Sequence, residues 1–334
     1  MDAIDYAKSY RPAGSPVQEV IDPMLKDAGI RLLIKRDDLI HQHISGNKWR
    51  KLKYNLAEAA GQNHHTILTF GGAYSNHIAA TAFACKKVGL ESIGIIRGED
   101  DATNPTLTFA RANGMQLQFV SREEYRMLTH PRSASGASPS LDKRGGAAPW
   151  RGGGEFEQRF GRCFIIPVGG ANGLGVRGCA EILPEIDEEF DIVCCAAGTG
   201  TTLAGLALTL KAHQQLFGFP ALKGGEFLKD EVERLIRGSN LRPPTTVNFQ
   251  LMTDYHFGGY AKVSPELLNF IRGFTQRTGI PLDPIYTGKM MYGIYDMIRV
   301  GAHDHTPLQK GTTILAIHTG GLQGWMGMQH RGMV

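Results

Sequence analysis

The strongest constraint on how this chain folds is its rhythm, in which short apolar runs rich in β-branched residues alternate with stretches of helical period. Strand-like runs fall at Arg31–Lys35, Thr66–Phe70, Ser92–Ile96, Gln116–Val120, Cys163–Pro167, Ile192–Ala196, Gln215–Phe219, Val247–Met252 and Thr313–His318. Helical patterns lie between many of them, as at Asn76–Val88, Gly175–Glu189 and Thr202–His213. Such alternation implies an α/β fold of parallel sheets joined by right-handed crossovers, with ligands held beyond the carboxyl ends of the strands. At 334 residues the chain has room for two lobes of this kind.

Three motifs sit at strand-to-helix or loop-to-helix junctions. Ser45-Gly46-Asn47-Lys48 places a lysine at a helix start. A Schiff-base lysine must be fixed in direction, able to lose its proton and close to an aldehyde, and a short turn at a helix start helps to arrange this. A solvated helix face shared with Arg50, Lys51 and Lys53 is the plainer alternative. Gly71-Gly72-Ala73-Tyr74-Ser75-Asn76-His77 leaves backbone free before a helix, where exposed amides favour an anion such as a carboxylate; Ser75 or Asn76 acting only as an N-cap fits equally well. His77 reads as structural. Ala197-Gly198-Thr199-Gly200-Thr201-Thr202 follows a strand and opens a helix, as a phosphate cradle does, although tight helix packing also explains its glycines. Together the three motifs suggest a pyridoxal 5′-phosphate site.

Other classes fare worse. The net charge of +4 is scattered without a basic run, which argues against nucleic acid, and no apolar stretch is long enough to span a bilayer. Met1-Asp2-Ala3-Ile4-Asp5 does not read as a signal peptide, and the odd set of five cysteines, with Cys194 and Cys195 in an apolar run, fits a reduced cytoplasmic protein. Gly173-Leu174-Gly175-Val176-Arg177-Gly178 matches the dinucleotide pattern of an NAD-dependent oxidoreductase. The acidic residue that pattern needs after the next strand is missing, since Ala196, Ala197 and Gly198 stand there. The pairs His41/His43, His64/His65 and His303/His305 lack acidic or thiol companions, so no metal site is expected. Residues 131–154, poor in apolar side chains, are expected to form a disordered loop.

Lys35-Arg36-Asp37-Asp38-Leu39, the Lys48 and Ser75-Asn76-His77 motifs, Gly169-Gly170-Ala171-Asn172, the glycine-threonine turn, Tyr286-Thr287-Gly288-Lys289 and His318-Thr319-Gly320-Gly321 follow one another through most of the chain. In that order they resemble the D-cysteine desulfhydrase and 1-aminocyclopropane-1-carboxylate deaminase family. The resemblance implies pyridoxal-enzyme fold type II, like the β subunit of tryptophan synthase, with the cofactor in a cleft between two parallel-sheet lobes. It implies a larger cofactor-binding domain from residues 1–45 and 162–334, a smaller inserted α/β domain from 46–161, and a homodimer. It implies that Lys48 joins the cofactor and moves the α-proton of an amino-acid substrate. Asn76 then meets the cofactor's 3′ oxygen, Ser75 holds the substrate carboxylate, and Gly198, Thr199, Gly200, Thr201 and Thr202 bind the phosphate. Thr287 faces the pyridine nitrogen, Tyr286 and Tyr255 line the substrate pocket, and Thr319 joins the cofactor-binding set.

Within that family, ring-opening deaminases typically carry Glu where this chain has Thr287 and Leu where it has Thr319. Threonine at both resembles the desulfhydrase branch, which implies β-elimination from D-cysteine or a related β-substituted amino acid. Cyclopropane ring opening is the alternative; a catalytically inactive pyridoxal-phosphate protein is another. The stretch 131–154 and the ending Trp325-Met326-Gly327-Met328-Gln329-His330-Arg331 depart from the family pattern.

Overall fold

A computed structural model describes residues 15–44, 46–129, 153–242, 248–300 and 308–334. Its strands are β1 (Val17–Glu19), β2 (Arg31–Lys35), β3 (Thr66–Gly72), β4 (Glu91–Arg97), β5 (Met115–Val120), β6 (Phe164–Ile166), β7 (Ile192–Ala197), β8 (Gln215–Pro220), β9 (Phe249–Leu251) and β10 (Thr313–Ile317). They form a six-stranded sheet, ordered β1-β2-β10-β7-β8-β9, and a four-stranded sheet, ordered β5-β4-β3-β6. Every pairing is parallel except that of β1 with β2.

The centre of the larger sheet is apolar on both faces because both are covered by helices. All of β7, Ile192 to Ala197, is buried. On one side Leu33, Val193 and Leu203 share a core with Val176 and Val232. On the other, Phe217 and Phe219 meet Phe274, Met290 and Ile294 from the helices Pro265–Thr278 and Thr287–Val300. In the smaller sheet, β6 pairs with β3, setting Phe164 beside Ile67, so this sheet draws on chain beyond residue 161.

Several expected boundaries move. The helix expected at Gly175–Glu189 is Gly173–Cys179, followed by a 3-10 turn at Leu183–Glu185. Pro184 has no amide hydrogen to continue the ladder. The helix expected at Thr202–His213 is Thr201–Ala207; the Thr209 hydroxyl donates to the carbonyls of Gly205 and Leu206 near its end. The short, polar β1 was not visible in the apolar pattern. Most of the loop expected at 131–154 lies outside the described residues, and Gly153 and Gly154 open the helix Gly153–Phe160. The atypical ending forms a helix, Gln323–His330.

Candidate active site

Lys48 is the second residue of the helix Asn47–Gly61. Gly46 before it has φ 63°, and a Cβ there would lie 1.8 Å from the Thr319 carbonyl oxygen, so only glycine admits this approach. The Asn47 amide donates to that same carbonyl at 3.3 Å, which ties the helix start to the loop after β10. Ser45 lies outside the described residues. Behind the turn, Arg50 is buried and donates to Asp37 at 2.9 and 3.0 Å and to Glu185 at 2.6 and 2.8 Å, giving the Lys35-Arg36-Asp37-Asp38 motif a structural purpose. Lys48 is half-buried by neighbouring protein, and that burial, helped by the charge of Lys51, pulls its amine down to about 7. Its Nζ donates to Asn47 Oδ1 at 2.6 Å, while Asn47 Nδ2 donates to Thr202 Oγ1 at 3.0 Å.

Thr202 belongs to the turn after β7. Gly200 there is left-handed at φ 75° and precedes the helix Thr201–Ala207. The Thr199 and Thr201 hydroxyls are 3.1 Å apart, and Gly198 lies beneath the Tyr286 ring, 3.2 Å from where a Cβ would sit. Thr201 and Thr202 are buried.

From the smaller sheet, Ser75 caps the helix Asn76–Val88 by accepting from the Ile78 amide at 3.3 Å, and among the described residues its own hydroxyl hydrogen has no acceptor. The cap and anion readings are therefore compatible. Asn76 Oδ1 is buried with no hydrogen-bond partner among the described residues, and its Nδ2 lies 3.2 Å from where a Cβ on Gly321 would sit. An unpartnered buried carboxamide oxygen carries a cost unless a ligand satisfies it. His77 is structural: burial holds it neutral, down to about 3, and its Nε2 meets the Thr69 hydroxyl at 2.9 Å.

Thr287 is fully buried. Its hydroxyl donates to Asp283 Oδ2 at 2.7 Å and accepts from the Asp283 amide at 2.9 Å. Burial raises the Asp283 carboxyl, which also receives the amides of Ile285, Tyr286 and Thr287 and so caps the helix that Thr287 opens. Thr319 is buried and contributes its backbone carbonyl to the Gly46 contact.

The structure does not bring Tyr255 to Tyr286. The Tyr255 hydroxyl donates to Asp296 at 3.2 Å, well along the helix from Tyr286, and its ring packs on Phe219 and Gly293. Tyr260 takes that place, with its hydroxyl 3.3 Å from that of Tyr286 and the rings edge to face at 6.0 Å. Sequence reasoning missed Tyr260, Asn47 and Lys51. Lys51 is a buried lysine whose amine is lowered by burial, an effect opposed by Cys179 and Cys195. Its spacing of one helical turn from Lys48 was the available signal.

The dinucleotide-like glycines serve packing instead. A Cβ at Gly178 would lie 1.8 Å from the Arg50 carbonyl, one at Gly175 would lie 2.2 Å from that of Gly170, and one at Gly173 would lie 2.5 Å from that of Gly238. Among the described residues, no cluster of three or more His, Cys, Asp or Glu could hold a metal, and no helix is long and apolar enough to cross a membrane.

Comparison with known proteins agrees with this geometry. The sequence pattern of the family described as "Pyridoxal-phosphate dependent enzyme" matches residues 14–320. The chain is 33% identical to the Arabidopsis thaliana mitochondrial bifunctional D-cysteine desulfhydrase/1-aminocyclopropane-1-carboxylate deaminase, over 89% of this chain and 73% of that one. It is 30% identical to a D-cysteine desulfhydrase of Klebsiella pneumoniae, over 92% of each. A crystal structure of an ACC deaminase homologue superposes over the full length of both chains with a TM-score of 0.75 at 29% identity. With an amine linked through Asn47 to a glycine-threonine turn, and with the family pattern spanning nearly all of the sequence, this chain belongs to the pyridoxal-phosphate-dependent enzymes.

Proposed function

We propose that the protein cleaves D-cysteine, or a related β-substituted amino acid, by β-elimination, consuming water and giving pyruvate, ammonia and sulfide. The observation that carries this reading is the Lys48 amine, lowered to about 7 and tied through Asn47 to the glycine-threonine turn. Such an amine is partly free at neutral pH and can accept a proton from Cα of the substrate. Bound pyridoxal phosphate supplies the electron sink that makes that C–H bond acidic.

The residues present fit that cofactor. Backbone and hydroxyl groups of Gly198, Thr199, Gly200, Thr201 and Thr202 would hold the phosphate. The unpartnered Oδ1 of Asn76 would accept from the ring hydroxyl, and Thr287 would stand by the ring nitrogen as a group without charge. Ser75 and the amides following it hold the substrate carboxylate, while Tyr260 and Tyr286 line the side chain. The two sheets act as two lobes, and their closure excludes water from the reacting carbon. We extend the reading to a cytoplasmic homodimer, testable by light scattering and cell fractionation.

Threonine at 287 and 319 supports elimination over ring opening, because no carboxyl side chain stands at 287 to share a proton with the ring nitrogen, and the weaker electron sink suffices for a good leaving group. The structural likeness to an ACC deaminase homologue keeps cyclopropane ring opening as the second reading. Incubation with D-cysteine, L-cysteate, β-chloro-D-alanine and 1-aminocyclopropane-1-carboxylate decides between them. Pyruvate and sulfide from D-cysteine are expected; 2-oxobutanoate from the cyclopropane substrate as the main product overturns the choice.

A further inference from the structure

Lys289, in the first turn of the helix Thr287–Val300, has one of the least ordinary environments in the molecule. Its side chain is 1% exposed, yet no ion pair includes it among the described residues. Instead the ammonium donates to three backbone carbonyls, those of Ala221 at 3.2 Å, His256 at 2.7 Å and Gly259 at 2.8 Å. Main-chain carbonyls converging on one positive charge are the coordination chemistry of a bound alkali or ammonium ion. Burial lowers this amine to about 8, opposed by the charge of Asp283, so it is still protonated at neutral pH.

The carbonyls belong to two segments that need holding. Ala221 follows β8, and its amide donates to Ala197 at 2.9 Å, beside the glycine-threonine turn. His256 and Gly259 belong to a segment of left-handed backbone, with φ 53° at Phe257, 89° at Gly258, 126° at Gly259 and 54° at Ala261. Phenylalanine and alanine adopt that region only when the surroundings impose it. Tyr260 lies in the middle of this segment, hydroxyl to hydroxyl with Tyr286.

We propose that the Lys289 ammonium acts as a built-in monovalent cation that clamps segment 256–261 to the end of β8 and so sets Tyr260 against Tyr286. Lys289 is thereby a positioning residue. The substrate role of the two tyrosines rests on the function proposed above; the clamp itself does not.

The test is the Lys289→Ala holoenzyme, compared with wild type in choline, potassium and methylammonium chlorides at equal ionic strength. In choline the variant should keep its cofactor absorbance, melt at lower temperature and show KM for the amino acid raised about tenfold with a smaller change in kcat. Potassium or methylammonium should restore both melting temperature and KM, while wild type is indifferent to the cation. Wild-type behaviour of the variant in choline, or deficits that neither cation repairs, overturns the proposal. If Lys289→Ala does not fold, Lys289→Gln reaches the carbonyls without the charge, and a Gln variant equal to wild type in melting and KM overturns it equally. Melting needs no substrate, so this arm still decides the clamp should wild type turn over none of the amino acids offered.

Discussion

Lys48 and Thr202, far apart in the chain, are joined through one carboxamide: Asn47 accepts from the Lys48 amine at 2.6 Å and donates to the Thr202 hydroxyl at 3.0 Å. The amine proposed to capture the cofactor and the turn proposed to grip its phosphate are thus in mechanical register. Asn47→Ala breaks the link while leaving both ends in place. Cofactor affinity should fall about tenfold, close to 1.4 kcal/mol. Titration of the apoprotein with pyridoxal phosphate measures it, and an unchanged dissociation constant would show that the two groups are placed independently.

Lys48→Ala should remove the visible absorbance of the bound cofactor and reduce turnover by about a thousandfold or more. In the unsubstituted apoprotein, the rate of cofactor capture should rise with pH around a midpoint near 7, because only the neutral amine attacks an aldehyde. A midpoint near that of ordinary lysine would contradict the burial argument.

Gly46→Ala places a methyl group 1.8 Å from the Thr319 carbonyl on a backbone at φ 63°. The expected loss is about 3 kcal/mol or more, read from urea unfolding. Gly61→Ala is the matched control, since nothing lies within 4 Å of its added carbon. It should be neutral or gain about 0.5 kcal/mol.

His77 ties stability to pH. Folded, its imidazole protonates only near 3, whereas the unfolded chain takes a proton near the ordinary value of 6.5. Between those values the unfolded state binds more protons, so stability is full above 6.5 and is lost as pH falls toward 3, by at most about 1.4 kcal/mol per unit. Unfolding measured at pH 7 and pH 5 should show a drop that is smaller in His77→Gln; equal drops in both proteins would assign the slope to other groups.

Tyr260→Phe and Tyr255→Phe should separate cleanly. The first removes a hydroxyl that meets Tyr286 and should raise KM for the amino acid with little change in melting temperature. The second removes a bond to Asp296 and should cost about 1 kcal/mol of stability with KM intact. The opposite pattern would return Tyr255 to the substrate side.

How much of this was legible in advance follows from how local each signal is. The strands Arg31–Lys35 and Ile192–Ala197 and the helix Asn76–Val88 emerge from apolar period and caps, because those depend on near neighbours in the chain. The edge strand Val17–Glu19 does not, being short, polar and defined only by its pairing with β2. Tyr255 and Tyr260 sit five positions apart in one irregular segment, and no periodicity tells which ring meets Tyr286. The left-handed residues between them decide that, and the carbonyls of His256 and Gly259 on either side of that turn accept from Lys289, distant in sequence.

Sequence alone determined the parallel α/β class, the lysine at a helix mouth and the glycine-threonine turn after a central strand, since each is written in consecutive residues with their own backbone preferences. The tertiary structure decided the rest. Gly46 must pass under the Thr319 carbonyl, Asn47 bridges to Thr202, and the dinucleotide-like glycines are consumed by close packing against other backbones. Those choices depend on the close approach of segments remote along the chain, and such distances are set by how the two sheets and their helices exclude water together, not by the order of residues in any one of them.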